Sequence, residues 1–373
     1  MSRYTDEQII EALESEGSTR KAAQKLGMDY RGFMRRKKAL AQKGYSPEHD
    51  MRHMVPDGYK VKGVSTFYNK EGKPAGQWVK STADNERMLE LMRASMDAMV
   101  KDLPPAKRIT APAATNADLL AVYPMGDPHF GEYIWGEECG QDWDLQIAHD
   151  THVAAMRALV EAAPPASEAL VINLGDAMHY DSMAAVTPRS GHHLDADGRY
   201  AKMVDVLIMG MRAVIDSALR KHDRVRVVNV IGNHDETGAL WLARLCAAEW
   251  RNNPRVTVDM SPSVFMYHKF GANFIGMHHG HTAKGDKLPA VMATDRAKDW
   301  GDTLHRYWYT GHIHHSTRTE YPGCIVESFG TLAPNDSYAT NGGWRSRQMM
   351  SCLILHAEHG EVARHTVNPK MVL

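Results

Sequence analysis

Long apolar runs are missing from this sequence. Nowhere in its 373 residues is there a stretch of the roughly 18 apolar residues that a membrane helix requires, so no membrane association is expected. The opening residues, MSRYTDEQII, have no apolar core between a basic start and a small-residue cleavage site, so no secretory signal is expected either. Thiols are scarce. Cys139, Cys246, Cys324 and Cys352 stand far apart with no CxxC pair, which argues against a disulfide framework and a thiolate zinc site and fits a reducing cytoplasm. Three common catalytic signatures are also absent. Without GxxxxGK[ST] or GxGxxG, nucleotide hydrolysis on a phosphate loop and dinucleotide binding are not expected. Without a GxSxG elbow, Ser-His-Asp hydrolysis is not expected. Net charge is −1, so total charge points to no partner, while a hydrophobic content of 43% suffices for a buried core and excludes a wholly disordered chain.

What the sequence does have is unevenly placed. Nine Lys or Arg and one acid, Asp29, lie between Gly17 and Lys43, so one end of a nearly neutral chain is strongly cationic. Histidine is abundant, with 21 residues, and all but His49 and His53 lie beyond residue 128. A single His is most often a surface or satisfied core residue. Repeated HxH, HH and HGH spacings are harder to explain that way, because neutral imidazole is the commonest metal ligand.

Residues 4–43 read as three short helices. Thr5-Asp6-Glu7-Gln8 forms a capping box before Ile9, Ile10 and Leu13. Gly17 ends that helix, Ala22, Ala23 and Leu26 mark a second up to Gly27, and Asp29 caps a third with Tyr30, Phe33, Met34 and Leu40 on one side. Arg31, Arg35, Arg36, Lys37 and Lys38 cover the rest of the third helix and are the candidate nucleic-acid contacts. The AAQKLGM stretch resembles the helix-turn-helix of small DNA-binding proteins; a basic, solvated bundle without a ligand is the plainer reading. Residues 55–80 read as a β-hairpin turning at Asn69–Lys73. Residues 83–101 carry a Met-rich stripe at helical spacing, expected to pack on a neighbouring domain or to form a homodimer contact. A Pro- and Ala-rich linker follows. Three segments result: a helix-turn-helix domain at 1–46, a hairpin, helix and linker at 47–117, and a larger domain at 118–373.

From residue 118 the pattern alternates strand, loop and helix. LLAVYPM, ALVINLG and VRVVNVIG read as buried strands, with helices at Leu145–Ala162 and Tyr200–Lys221 between them. The last stretch, SCLILHAEHGEVARHTV, reads as a hairpin. The polar clusters fall where strands end: Gly126-Asp127-Pro128-His129, Gly175-Asp176-Ala177-Met178-His179, Gly232-Asn233-His234-Asp235, His278-His279-Gly280-His281 and Gly311-His312-Ile313-His314. Their glycines would allow tight turns that aim side chains at a shared centre. Oxygen and imidazole donors together suit Mn, Fe or Zn.

These five blocks, in this order, resemble the calcineurin-like metallophosphoesterase superfamily, whose pattern is DxH, GDxx(D/H), GNH(D/E), a later His, and GHxH. The resemblance spans roughly residues 118–365. It implies an α/β fold, a four-layer α/β/β/α sandwich here preceded by the small all-α helix-turn-helix domain, with a dinuclear metal centre at one edge. By the same resemblance, Asp127, His129 and His314 would hold one divalent ion. Asn233, His312 and a His from the HHGH run would hold the second, and Asp176 would bridge them. His279 is the first choice within that run and His278 the second, with His281 placed behind the ligands. Manganese is the favoured metal, with Fe, Zn, Mg and Ni as alternatives. His234 would act at the leaving oxygen and Asp235 would orient it. His179, completing a GDxxH block, resembles the extra His of SbcD-type DNA repair nucleases. The chain shows neither their C-terminal capping domain nor a docking segment for a coiled-coil ATPase. It is closer to metallophosphoesterases encoded by bacteriophages and prophages, which would place it in a bacterial host cytoplasm. The expected function is a metal-dependent phosphoesterase, a DNA nuclease with a DNA-holding N-terminus. The alternative is a phosphatase or small-molecule phosphodiesterase whose basic N-terminus binds a protein. Arg189, His192, His193, Asn335, Arg345 and Arg347 are either substrate-side residues or plain surface-loop residues.

Overall fold

The structure, a computed structural model, describes residues 4–52, 55, 59–84, 87, 90, 109–188 and 191–372. Apart from residues 83, 84, 87 and 90, the Met-rich segment expected to form a homodimer contact lies outside the described residues, as does Arg189. The chain divides into two compact units, Met1–Met99 and Val100–Leu373.

The first unit begins with α1 (Asp6–Glu16), α2 (Thr19–Lys25) and α3 (Tyr30–Gln42). The capping box forms in both directions: Thr5 Oγ1 accepts from the Gln8 N–H at 3.4 Å, and the Gln8 side chain accepts from the Thr5 N–H at 2.9 Å. Gly17 and Gly27, at φ 58° and 60°, end the first two helices in the left-handed conformation that glycine adopts without cost. Asp29 Oδ1 accepts from the Gly32 N–H at 2.8 Å and starts α3. Ile9, Ala12, Ala22, Ala23, Phe33, Leu40 and Tyr45 close one apolar core from all three helices. Two short strands, β1 (Tyr45–Ser46) and β2 (Met51–Arg52), follow. A long antiparallel hairpin then pairs β3 (Tyr59–Tyr68) with β4 (Pro74–Ala83). The side chain of Asn69 accepts from the N–H groups of Glu71 and Lys73, and Gly72 takes φ 74°, which together form the turn.

The second unit is mixed α/β with two sheets. One has six strands in the order β15-β14-β5-β6-β7-β8, where β5 is Asn116–Met125, β6 Ala166–Asn173, β7 Arg224–Asn229, β8 Val256–Val258, β14 Met350–His356 and β15 Gly360–Val367. Strands β5 to β8 are parallel, and β14 is antiparallel to both its neighbours. The other has five, in the order β12-β13-β11-β10-β9, where β9 is Met266–Phe270, β10 Asn273–Met277, β11 His305–Thr310, β12 Thr317–Tyr321 and β13 Cys324–Ser328. Strands buried on both faces cannot alternate with polar residues, which is why β5, β6 and β7 read as near-continuous apolar runs.

Leu120, Val122, Leu170, Ile172, Val228 and Leu353 of the six-stranded sheet share one core with Met266, Ile275, Met277, Tyr307 and Tyr309 of the five-stranded sheet. Helices Leu145–Ala162, Tyr200–Lys221 and Gly238–Glu249 pack on the six-stranded sheet. Helix Leu288–Asp295 meets β13, and its Leu288 and Met292 join Phe274, Trp308 and Val326 in a second cluster. Arg364 of β15 and Glu327 of β13 form a two-pronged ion pair, one arm at 2.8 Å, that joins the sheets. No helix among the described residues is long and apolar enough to cross a membrane.

Candidate metal centre

Five loops at strand ends bring the polar clusters together. Asp127 and His129 follow β5, Asp176 and His179 follow β6, and Asn233 to Asp235 follow β7. His279 follows β10, and His312 and His314 follow β11. The backbone there is unusual. Among the described residues, and apart from Asp50, the non-glycine residues at positive φ are Asp127 (45°), His129 (43°), Asp176 (51°), His312 (72°) and His314 (55°). Each such residue costs about 1–3 kcal/mol, a strain that clusters at sites where side-chain aim matters more than comfort.

The glycines help in a way the sequence reading did not anticipate. Among them, only Gly175 and Gly280 turn the chain at positive φ. Gly232 and Gly311 instead leave room. A Cβ on Gly232 would lie 2.0 Å from Asp176 Oδ1, and one on Gly311 would lie 2.6 Å from Asp127 Oδ2.

Asp127, His129 and His314 form one group whose donor atoms lie within 4.8 Å of one another, and Asp176, His279 and His312 form a second. The carboxylates lie between the two. Asp176 Oδ2 is 3.1 Å from His279 Nε2 and 4.0 Å from His129 Nε2, and Asp127 Oδ1 is 3.6 Å from His314 Nε2 and 3.9 Å from His279 Nε2. Asn233 Oδ1 sits 3.0 Å from His279 Nε2. Backbone N–H groups aim both carboxylates: His234 donates to Asp176 at 2.8 Å, and His312 donates to Asp127 at 2.8 Å. His279 Nδ1 donates to the Leu174 carbonyl at 2.8 Å, which leaves Nε2 facing the carboxylates. No sequence signal marks that carbonyl, because any residue can supply it.

Within the HHGH run, His279 is the residue that joins the second group. His278 Nδ1 accepts from the Gly280 N–H at 2.8 Å and its Nε2 meets Thr282 Oγ1 at 3.0 Å, so both nitrogens are engaged away from the groups. His281 lies behind, its ring 5.3 Å from His279 and 6.2 Å from His312.

Burial raises Asp127's pKa, against the pull of His314 and His279. Burial acts the same way on Asp176, but His279, His234 and His129 hold it well below the usual carboxylate range. Burial alone would lower His279, yet the Asp176 and Asp127 carboxylates bring it to about 10. His179, driven down to about 3 by burial and then by His234, is a neutral ring.

His129, His179 and His234 form a third close group. His234 Nδ1 donates to the His179 carbonyl at 2.7 Å, so the chain itself orients His234 and leaves its Nε2 available. This corrects the expected role of Asp235. Fully buried, Asp235 accepts from the N–H groups of Asp176, Ala177, Met178 and Gly232, tying two ligand loops together rather than orienting His234. Its pKa is pushed up to about 8 by burial, with Asp176 and Asp181 adding to the effect. Sequence reasoning missed three further residues. Thr331 Oγ1 donates to the Asp127 carbonyl at 2.8 Å, Asp181 accepts from the Thr237 N–H at the start of helix Gly238–Glu249, and Glu132 is a buried acid three residues beyond His129. Their spacing is irregular, and only the loop closures make them neighbours of the site.

The expected loop residues stay outside these groups. His192 and His193 are exposed. Asn335 accepts from the Ser346 N–H, and Arg345 donates to the Thr340 and Trp344 carbonyls, so both brace their own loop. In the first unit, Arg31, Arg35 and Lys38 are exposed on α3, while Arg36 and Lys37 are half-buried. Arg36 is engaged internally, 2.6 Å from Asp6 Oδ1 and 3.2 Å from the Tyr4 carbonyl.

No family model and no curated protein matches the sequence. Solved structures do overlap with it. A conserved Streptococcus pneumoniae protein described as a predicted phosphoesterase is 12% identical, covering 68% of this chain and 99% of its own, with a TM-score of 0.28. Vacuolar protein sorting 29 of Cryptosporidium parvum is 13% identical over 67% of this chain and 96% of its own, with a TM-score of 0.30. Phosphopantetheinyl hydrolase of Mycobacterium tuberculosis is 11% identical over 58% and 91%, with a TM-score of 0.25. Overlap this loose assigns no role to any residue.

Proposed function

We propose that this chain is a metal-dependent phosphoesterase of the calcineurin-like type, acting on DNA phosphodiesters through two divalent ions. One observation carries the reading. Two groups of oxygen and imidazole donors, Asp127/His129/His314 and Asp176/His279/His312, lie side by side with Asp176 within 4.0 Å of a ring from each. That donor set contains no thiolate and fits hard or borderline divalent ions, manganese foremost. Five residues held at strained backbone angles fit a centre that repays strain with ligation. The order of layers, helices on the six-stranded sheet, then the five-stranded sheet, then helix Leu288–Asp295, supports the four-layer sandwich.

Asp127, His129 and His314 would hold one ion; Asn233, His279 and His312 the other; and Asp176 would reach both. Ions so held neutralise an anionic phosphoryl group and lower the pKa of water. The chain's own residues do the rest. His234, anchored through Nδ1, keeps Nε2 available and would give a proton from it to the leaving oxygen. His179, buried and neutral, fixes His234 through its carbonyl and His129 through its ring, 3.3 Å away. The three-helix N-terminus, with Arg31, Arg35 and Lys38 outward on α3, supports a helix-turn-helix that holds DNA.

The test is incubation with Mn²⁺ and labelled single- and double-stranded DNA beside p-nitrophenyl phosphate esters. Cleavage of DNA that chelator stops and Asp176→Ala abolishes, together with uptake of two ions per chain that the variant loses, is expected. Hydrolysis confined to a monoester would overturn the nuclease reading, and saturation at one ion per chain would overturn the dinuclear one.

A further inference from the structure

We infer that the outward face of the β3–β4 hairpin binds unpaired nucleic-acid bases. Directly opposed residues share a face, so the pairs Gly63–Lys80, Ser65–Trp78 and Phe67–Gly76 place Phe67, Trp78 and Lys80 on one side. The opposite side carries Val64, Val79, Thr66 and Gln77, all half-buried. Gln77 there donates to the Asp50 carbonyl at 2.9 Å, and Tyr68 donates to Asp50 Oδ2 at 2.7 Å. The side that faces the rest of the unit is thus the aliphatic and polar one.

Among the described residues of this unit, the aromatic side is left uncovered. Phe67 is 62% exposed and Trp78 66%, far more than rings serving a core. Across the ladder each large side chain faces a small one, so no cross-strand partner covers the ring faces. A Cβ built on Gly63 or Gly76 would meet nothing within 4 Å, so this face is open space.

Charge decides among occupants. Residues 59–83 carry five lysines, Lys60, Lys62, Lys70, Lys73 and Lys80, against one acid, Glu71. Lys62 sits at the bulge between Val61 and Gly63. Lysine is depleted at protein interfaces, and this face has no aliphatic side chain, whereas flat rings among lysines match bases and phosphates. In a duplex the base faces are already stacked, so the rings select unpaired bases.

This inference rests on the DNA half of the proposed function but not on metal chemistry, so it is tested by binding. The full chain, in chelator to silence cleavage, is titrated with a labelled single strand and with its duplex, read by anisotropy at several salt concentrations. Phe67→Ala/Trp78→Ala is expected to weaken single-strand binding on the order of tenfold to a hundredfold and duplex binding by about threefold or less. Phe67→Tyr/Trp78→Tyr keeps flat rings and is expected to bind within about threefold of wild type. Lys62→Gln/Lys80→Gln should weaken both ligands and flatten the salt slope. Equal losses on strand and duplex, no loss, or a Tyr pair as weak as the Ala pair would overturn it. In any of those cases, duplex binding that still falls in Arg31→Gln/Arg35→Gln/Lys38→Gln leaves the DNA reading standing and removes the hairpin alone.

Discussion

At the scale of single residues, the metal centre depends on both backbone strain and empty space, and the two respond differently to mutation. Gly232→Ala would place a methyl 2.0 Å from Asp176 Oδ1 and 2.8 Å from Asp235 Oδ1, so the two ligand loops must part. Overpacking of this kind should destabilise the fold by about 1–3 kcal/mol and abolish ion uptake. His314→Gly removes one donor of the first group from a position at φ 55°, relieving strain as it does so. Its stability should stay within about 1 kcal/mol of wild type while ion binding fails. Thermal unfolding alongside elemental analysis separates the two, and a His314→Gly protein as unstable as Gly232→Ala would contradict the strain argument. A second residue-scale effect lies away from the centre. His222, fully buried, accepts from the Ala166 N–H at 3.1 Å and meets Tyr123 Oη at 2.7 Å. Burial, with Lys221 adding to it, lowers its pKa to about 4. The unfolded chain therefore takes up this proton first as pH falls. The stability His222 contributes is complete above pH ~6.5 and is lost as pH falls toward ~4, about 3 kcal/mol in all. Urea unfolding of His222→Gln across that range should show a shallower acid decline than wild type, and parallel curves would show that His222 is not responsible.

At the scale of elements, α3 shows why charge counts on a helix overstate a binding face. Of its five expected DNA contacts, Arg36 is paired with Asp6 of α1. Arg36→Gln should therefore loosen the helical unit, by about 1 kcal/mol, with little change in salt slope. Arg31→Gln/Arg35→Gln/Lys38→Gln should leave stability alone and reduce the duplex salt slope by about 2–3, since each lost phosphate contact removes roughly 0.9. Melting and gel-shift titrations in parallel distinguish them; a slope unchanged in the triple variant would exclude α3 from the interface. The helices of this unit were legible in sequence because their signals are local: the capping box at Thr5–Gln8 and the left-handed Gly17 that bound α1, and the Asp29 cap that starts α3, all act within four residues. The same is true of helices Leu145–Ala162 and Tyr200–Lys221, whose apolar periodicity fixes their length. The Asp6–Arg36 pair spans thirty residues and leaves no local pattern. At the candidate metal centre the blocks of donor residues that come together were legible for the same local reason, each a short motif ending a strand. Asp235 misled because its neighbour in sequence, His234, is not its partner in space. Its carboxyl faces the loop after β6.

At the scale of the whole molecule, the ligands and the cationic helices belong to different compact units, each with its own apolar core. All the donor residues of the metal centre lie in Val100–Leu373, so that unit alone should keep its ions and hydrolyse a small activated ester at a rate within about twofold of the full chain. DNA is another matter. A tethered binding unit raises the local concentration of substrate without touching the chemistry, by factors of about 10²–10⁴ where geometry permits. Removal of residues 1–99 should therefore raise KM for DNA by at least about tenfold and leave kcat nearly unchanged. The salt dependence of kcat/KM should flatten with it, because the counterions released on binding are those displaced by the lost cations. The opposite split, with kcat falling and KM constant, would mean that the N-terminal unit acts in the reaction itself rather than by holding the substrate near it.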